Sequence, residues 1–137
     1  MVKDFRRSID YLETRDDINT DKIAFYGMSW GAAAGTIISA VEDRIKTNIY
    51  VGGGLGPKLR AEISPINFLS RIEAPTIMLN GRYESQTKIQ QMYDLIGTPE
   101  KNKKLVLFES HHIPPHNDLV REVLAWLDQY LGPVERK

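Results

Sequence analysis

Ser29, inside Gly27-Met28-Ser29-Trp30-Gly31, is the first side chain in this 137-residue chain whose setting suggests chemistry. The pentapeptide follows a short apolar run, IAFY, and precedes a stretch of small residues, AAAG. That is the pattern of a strand turning sharply into a helix. Such a turn lifts a hydroxyl above the carboxyl end of its strand, and flanking glycines let neighbouring backbone pass without collision. The new helix aims its amino end at the same spot, so the Trp30 amide is placed to donate to a developing oxyanion. A plain glycine-rich strand-to-helix turn has the same appearance, so the chemical reading depends on partners elsewhere.

A serine hydroxyl needs a base, and histidine is the side chain whose ordinary pKa lies near neutrality. All three histidines fall in one segment, ESHHIPPH. His112 is the chosen base, with His111 and His116 as alternatives, and Pro114-Pro115 stiffens the loop behind it. His112 and His116 are four apart, but the prolines between them break the helix that a metal-binding pair at that spacing needs. No HExxH glutamate is present, so no metal site is expected. The imidazole in turn needs a carboxylate to orient it. Glu84, in Asn80-Gly81-Arg82-Tyr83-Glu84, follows an apolar strand and gives the chain order serine, acid, histidine. Glu109 and Asp118, which flank the histidines, are the alternatives.

These groups meet only if the elements between them form one sheet. Phe5, Ile9 and Leu12 recur at helical spacing and predict an amphipathic helix over residues 4–15, followed by a polar loop, RDDINTD. Strands are expected at 22–26, 47–51, 76–80 and 104–109, and helices at 30–41, 64–70 (short) and 87–96. In the last helix Val120, Val123, Leu124, Leu127, Tyr130 and Leu131 form one apolar stripe that Gly132-Pro133 ends. Trp126 lies beside the stripe and reads as packing. Buried strands alternating with helices imply an α/β architecture, a mostly parallel sheet of about four strands flanked by helices. All of residues 1–137 are expected to form one such domain. Met28, Tyr26 and Gly53, near strand ends on the serine's rim, are the expected substrate-binding residues. GGGLGPK lacks the Gly-Lys-Ser/Thr step of a phosphate loop and reads as a turn lining the site.

Composition narrows the function classes. Lysine and arginine total 18 against 18 acidic residues, so no nucleic-acid or acidic-membrane partner is implied. No run approaches the roughly 20 apolar residues of a membrane span. The amino terminus lacks a secretory apolar block, and there is no cysteine. These features fit a cytoplasmic protein.

With these motifs in hand, the chain resembles the α/β-hydrolase superfamily, and more narrowly dienelactone-hydrolase and prolyl-oligopeptidase-like domains. The likeness runs through SIDYLETRDDINTDKIAFYGMSWGAA, VGGGLGP, SPINFLSRI, PTIMLNGRYE, FESHHIPP and LAWLDQYLGP. It implies Ser29 as nucleophile, Glu84 as acid, His112 as base and the Trp30 amide in the oxyanion hole, with no cofactor. Such domains usually carry Asp where this chain has Glu84, and glycines where it has Ser110 and His111. The resemblance covers the carboxyl half of that fold, a truncated core without the loop that supplies a second oxyanion amide. The strand at 22–26 then becomes a sheet edge, and a homodimer pairing two such edges is expected. The implied activity is hydrolysis of small short-acyl carboxylic esters. The alternatives are a non-catalytic remnant or interaction module, and an acyltransferase or peptidase using the same three residues.

Overall fold

Four parallel strands in the order β1-β2-β3-β4 form the sheet of the computed structural model, which describes residues 1–56 and 59–134. The elements run α1 (Val2–Leu12), β1 (Ala24–Met28), α2 (Trp30–Ser39), β2 (Thr47–Val51), β3 (Thr76–Gly81), α3 (Gln86–Leu95), β4 (Lys103–Phe108) and α4 (His116–Leu131). Parallel registry, with Met28 beside Val51 and Gly81 beside Phe108, brings the carboxyl ends of all four strands to one rim. The loops that leave this rim carry Ser29, residues 52–54, Glu84 and the histidines.

Alternation along each strand sorts side chains between two faces. Phe25, Tyr50 and Met78 face α1, α2 and α3 in one cluster that includes Ile9, Ile38, Ile89 and Met92. Ile49, Val51, Ile77 and Leu79 face α4 through Leu119 and Trp126. β2 carries two polar residues yet is buried throughout, so their groups must be paired. Thr47 accepts from the Trp126 indole N–H at 2.7 Å and donates to the Pro75 carbonyl at 2.9 Å. Asn48 accepts from the Ser39 hydroxyl at 2.6 Å and donates to Thr76 at 3.2 Å. Trp126 is thus a core residue with its one donor satisfied, as its place beside the apolar stripe suggested.

Several boundaries differ from the sequence reading. The first helix ends at Leu12, where Glu13 caps it and the Thr14 hydroxyl turns back to the Tyr11 carbonyl at 2.8 Å. β1 begins at Ala24, because the Asn19 side chain caps a tight turn at Thr20–Lys22 by accepting from the Asp21 amide. α2 stops at Ser39, two residues short of the expected end. The expected helix at 64–70 is instead two single turns, Pro65–Asn67 and Leu69–Arg71. Leu69 and Ile72 are buried there by packing on the sheet, an arrangement that three-residue turns satisfy as well as a helix. Of the GGGLGPK stretch, residues 57 and 58 lie outside the described residues.

Glu42 joins α1 to the turn after α2. Its carboxylate is buried and takes hydrogen bonds from Arg44 at 2.6 and 2.7 Å and from Arg6 at 3.3 Å. The Arg44 hydrogen bonds are the main reason its pKa lies below the ordinary glutamate value. A carboxyl whose folded pKa is lowered contributes stability that is present above its unfolded pKa and lost as pH falls through the folded one. The melting temperature is therefore expected to fall as pH drops below about 4.3. Glu42→Gln should melt lower than the parent at neutral pH and flatten that acid limb, as read by circular dichroism across pH 3 to 7.

Candidate active site

β1 ends at Met28 and α2 begins at Trp30, leaving Ser29 alone between strand and helix. Its backbone, φ 55° and ψ −114°, is the positive-φ conformation of a non-glycine residue that L side chains disfavour by on the order of 1–3 kcal/mol. The surroundings enforce it. The Ser29 amide donates to the Val51 carbonyl on β2 at 2.8 Å, and its own carbonyl accepts from Ala32 and Ala33 at 3.0 and 3.2 Å. A side-chain carbon on Gly27 would lie 2.5 Å from the Gly31 carbonyl oxygen, so the strand can turn back over its helix only with glycine at 27. At Gly31 such a carbon would meet nothing within 4 Å. Of the two flanking glycines, crowding demands only the first.

The loop from β4 to α4 brings His112 to this hydroxyl. Its Nε2 lies 2.7 Å from Ser29 Oγ, and its Nδ1 lies 2.9 Å from Glu84 Oε2. The three groups come from three loops, 83 and 28 positions apart in sequence. With Nδ1–H donating to the carboxylate, Nε2 is left to accept from the serine hydroxyl. Glu84 and His112 are partly exposed, and Ser29 opens to solvent.

Two loops must hold one another for that geometry to persist. The Arg82 and Tyr83 amides donate to the Phe108 and Ser110 carbonyls at 2.8 and 3.1 Å. The Tyr83 hydroxyl donates to Glu109 at 2.7 Å, and the Arg82 guanidinium pairs with the same carboxylate at 2.6 Å. The hydrogen bond to Glu109 is also the first cause of the raised Tyr83 pKa. Beneath this clasp Gly81 has no room for a side chain, because a carbon there would overlap the His111 carbonyl oxygen. The sequence reading passed over Gly81 and Glu109 in these roles; a glycine ending an apolar strand was the available signal.

The alternative residues go elsewhere. The His111 ring packs against Tyr83 with centroids 5.4 Å apart, and His116 is the first residue of α4. Glu109 is held by Arg82 and Tyr83, and Asp118 pairs with Arg121 at 2.9 Å. Among the described residues no group of three or more His, Asp or Glu side chains is arranged to hold a metal ion.

Trp30 opens α2, so its amide has no carbonyl four residues back within the helix to bond. Trp30 is 75% exposed and walls an apolar cavity of about 610 Å³ with Ala33, Ala34 and Ile37 of the same helix face and Leu59 and Ile63. Tyr26 and Met28 project from the α4 side of β1, beyond the reach of α4, and are 47% and 38% exposed. Partial burial raises the Tyr26 pKa, so the phenol keeps its proton as a donor. Gly53 is buried, and its Cα faces Ala32, Met92 and Tyr50. It also borders a cavity of about 270 Å³ with Gly52, Gly54, Glu84, Ser85 and Lys88.

No family model matches the chain, and no curated protein sequence matches it. Solved structures do. A cold-adapted esterase from an Arctic intertidal metagenomic library is similar at TM-score 0.79 and 19% identity, over 95% of this chain and 57% of its own. The 2,6-dihydroxy-pseudo-oxynicotine hydrolase is similar at TM-score 0.77 and 22% identity, over 95% and 46%. A dienelactone hydrolase from Anabaena variabilis is similar at TM-score 0.71 and 20% identity, over 90% and 56%. The fold is the α/β-hydrolase fold that these structures share, and this chain spans about half their length.

Gly81→Ala is expected to push the His111 carbonyl away and carry His112 with it. A crystal structure of this variant should place His112 Nε2 farther from Ser29 Oγ than the roughly 3.0 Å limit of an O–H···N contact of this kind. An unchanged separation would show that the loop yields without moving the imidazole.

Proposed function

We propose that this protein is a serine hydrolase cleaving small carboxylic esters. One observation carries the reading: the unbroken relay from Glu84 through His112 to Ser29, at 2.9 and 2.7 Å, on a strained strand-to-helix turn. The naming of its structural neighbours as esterases and hydrolases supports it. Ser29 Oγ attacks the ester carbonyl while His112 Nε2 takes its proton, and Glu84 steadies the imidazolium through Nδ1–H. The Trp30 amide donates to the oxyanion. When the tetrahedral intermediate collapses, the C–O bond to the alcohol breaks and His112 returns the proton to the leaving oxygen. Water, deprotonated by the same imidazole, then attacks the acyl carbon; the bond to Ser29 Oγ breaks, His112 returns the proton to that oxygen, and the acid leaves. The exposed position of Ser29 favours small soluble esters, with the apolar cavity beside Trp30 as the seat for their apolar part.

p-Nitrophenyl acetate turnover tests the reading directly. The parent should hydrolyse it and Ser29→Ala should lose at least about 10³-fold in kcat. A fluorophosphonate should label the parent at Ser29. Equal rates for parent and variant, with no labelling, would remove Ser29 from any chemistry and favour an interaction module on the same fold.

We further propose that the chain pairs with a second copy along β1. The Lys46 amide donates to the Ile23 carbonyl and the Ser29 amide to the Val51 carbonyl, both at 2.8 Å. Alternation in a parallel ladder then turns the amide groups of Phe25 and Gly27 toward β2, and those of Ala24, Tyr26 and Met28 outward. This edge contains neither proline nor charge within Ala24–Met28, the devices that usually block pairing. A two-fold axis at Tyr26 would set Tyr26 beside its copy and Ala24 beside Met28, with about six hydrogen bonds. Light scattering on a sizing column should give a dimer, and Tyr26→Pro, which removes an outward N–H that β2 does not use, should give a folded monomer. A parent that stays monomeric across concentrations overturns the pairing.

A further inference from the structure

Asn80 is fully buried at the end of β3, where its strand neighbours Ile77, Met78 and Leu79 are all apolar. A carboxamide there carries a penalty that an aliphatic side chain would avoid, and one of its atoms, Oδ1, has no hydrogen-bond partner. The other end is strongly engaged: Nδ2 donates to the Gly53 carbonyl at 2.6 Å. What that bond holds is the turn after β2. Gly52, adjacent in the chain, has φ 59° and is anchored by its amide to the Leu79 carbonyl at 2.9 Å. A side-chain carbon on Gly52 would lie 3.0 Å from the His112 carbonyl oxygen and 3.1 Å from His112 Cε1. The Gly52 backbone is therefore the surface against which both the main chain and the ring of His112 rest.

We infer that Asn80 is a positioning residue for the His112 imidazole. It acts through the Gly53 carbonyl and the Gly52 backbone, touching neither Ser29 nor substrate. The buried amide is retained because it fixes the height of the 52–54 turn beneath the ring. An apolar residue of the same branched shape would fill the space and make no hydrogen bond to hold the turn. This inference rests on the serine-hydrolase reading for its kinetic consequence, while its structural consequence stands apart from that reading.

Asn80→Leu separates positioning from packing, since it keeps the branched shape with somewhat more bulk and removes both the donor and the orphaned acceptor. It is expected to melt within a few degrees of the parent. With p-nitrophenyl acetate it should lose about 10- to 100-fold in kcat with KM changed less than about threefold, the pattern of a displaced base. The downfield proton resonance of His112 Nδ1–H, hydrogen-bonded to Glu84, should weaken or vanish. Asn80→Ser, too short to reach the Gly53 carbonyl, should behave alike and serves if the leucine variant does not fold. Parental kcat and a parental resonance in either variant overturn the inference. Should the parent neither turn over the ester nor label with fluorophosphonate, the hydrolase reading fails. The resonance alone then decides whether Asn80 positions the ring.

Discussion

The strained turn at Ser29 is the constraint on which the rest of the molecule depends. A chain leaving a strand of a parallel sheet and entering a helix at once has no loop in which to relax. One residue takes up the whole change of direction, and here it is a serine with positive φ. The distortion persists because three independent contacts hold it: the Val51 carbonyl, the first turn of α2, and the close approach of Gly27 to Gly31. Strain of this order is small beside the burial of two core clusters on the flanking faces. The sheet therefore imposes the turn, and the turn fixes where the hydroxyl sits.

Positioning the imidazole is a harder problem, because its loop has seven residues between β4 and α4 and little regular structure. The fold solves it by close backbone packing on glycine. Gly81 lies under the His111 carbonyl, and Gly52 lies under the His112 carbonyl and ring. Backbone pressed against backbone leaves few ways to shift, whereas exposed ion pairs such as Arg82–Glu109 contribute little. Glu84 and His112 are thus set by the loops' mutual fit, and the clasp around Glu109 reinforces a geometry that the glycines already define.

The same economy explains the pattern of buried polar groups. Thr47, Asn48 and Thr76 lie in the core near the amino ends of their strands, Thr98 lies in the loop between α3 and β4, and hydrogen bonds satisfy them. Asn80 lies at the other end of β3, near the site, and is only half satisfied. Polar groups at the far end tie strands to neighbouring loops; among the described residues the buried side-chain atoms left unpaired, Asn80 Oδ1 and the Tyr50 hydroxyl, belong to residues toward the carboxyl ends of β3 and β2.

The serine, the acid and the segment that supplies the histidine, in that order, could be read from the chain. The turn chemistry around each is local: glycines flank the serine, an apolar strand precedes the acid, and prolines follow the histidine. The α/β class was legible for the same reason, since alternation and helical spacing are short-range patterns, and the Thr47–Val51 strand stood where expected. Element boundaries were less legible, because caps such as that of Asn19 before β1 compete with periodicity over a few residues. Three single histidines in a row of eight residues carry no local signal that separates them. Only the packing of one loop on Gly52 and Gly81 turned His112 toward Ser29, left His111 against Tyr83 and placed His116 in a helix. Contacts between residues dozens of positions apart decide such matters, and no periodicity encodes them.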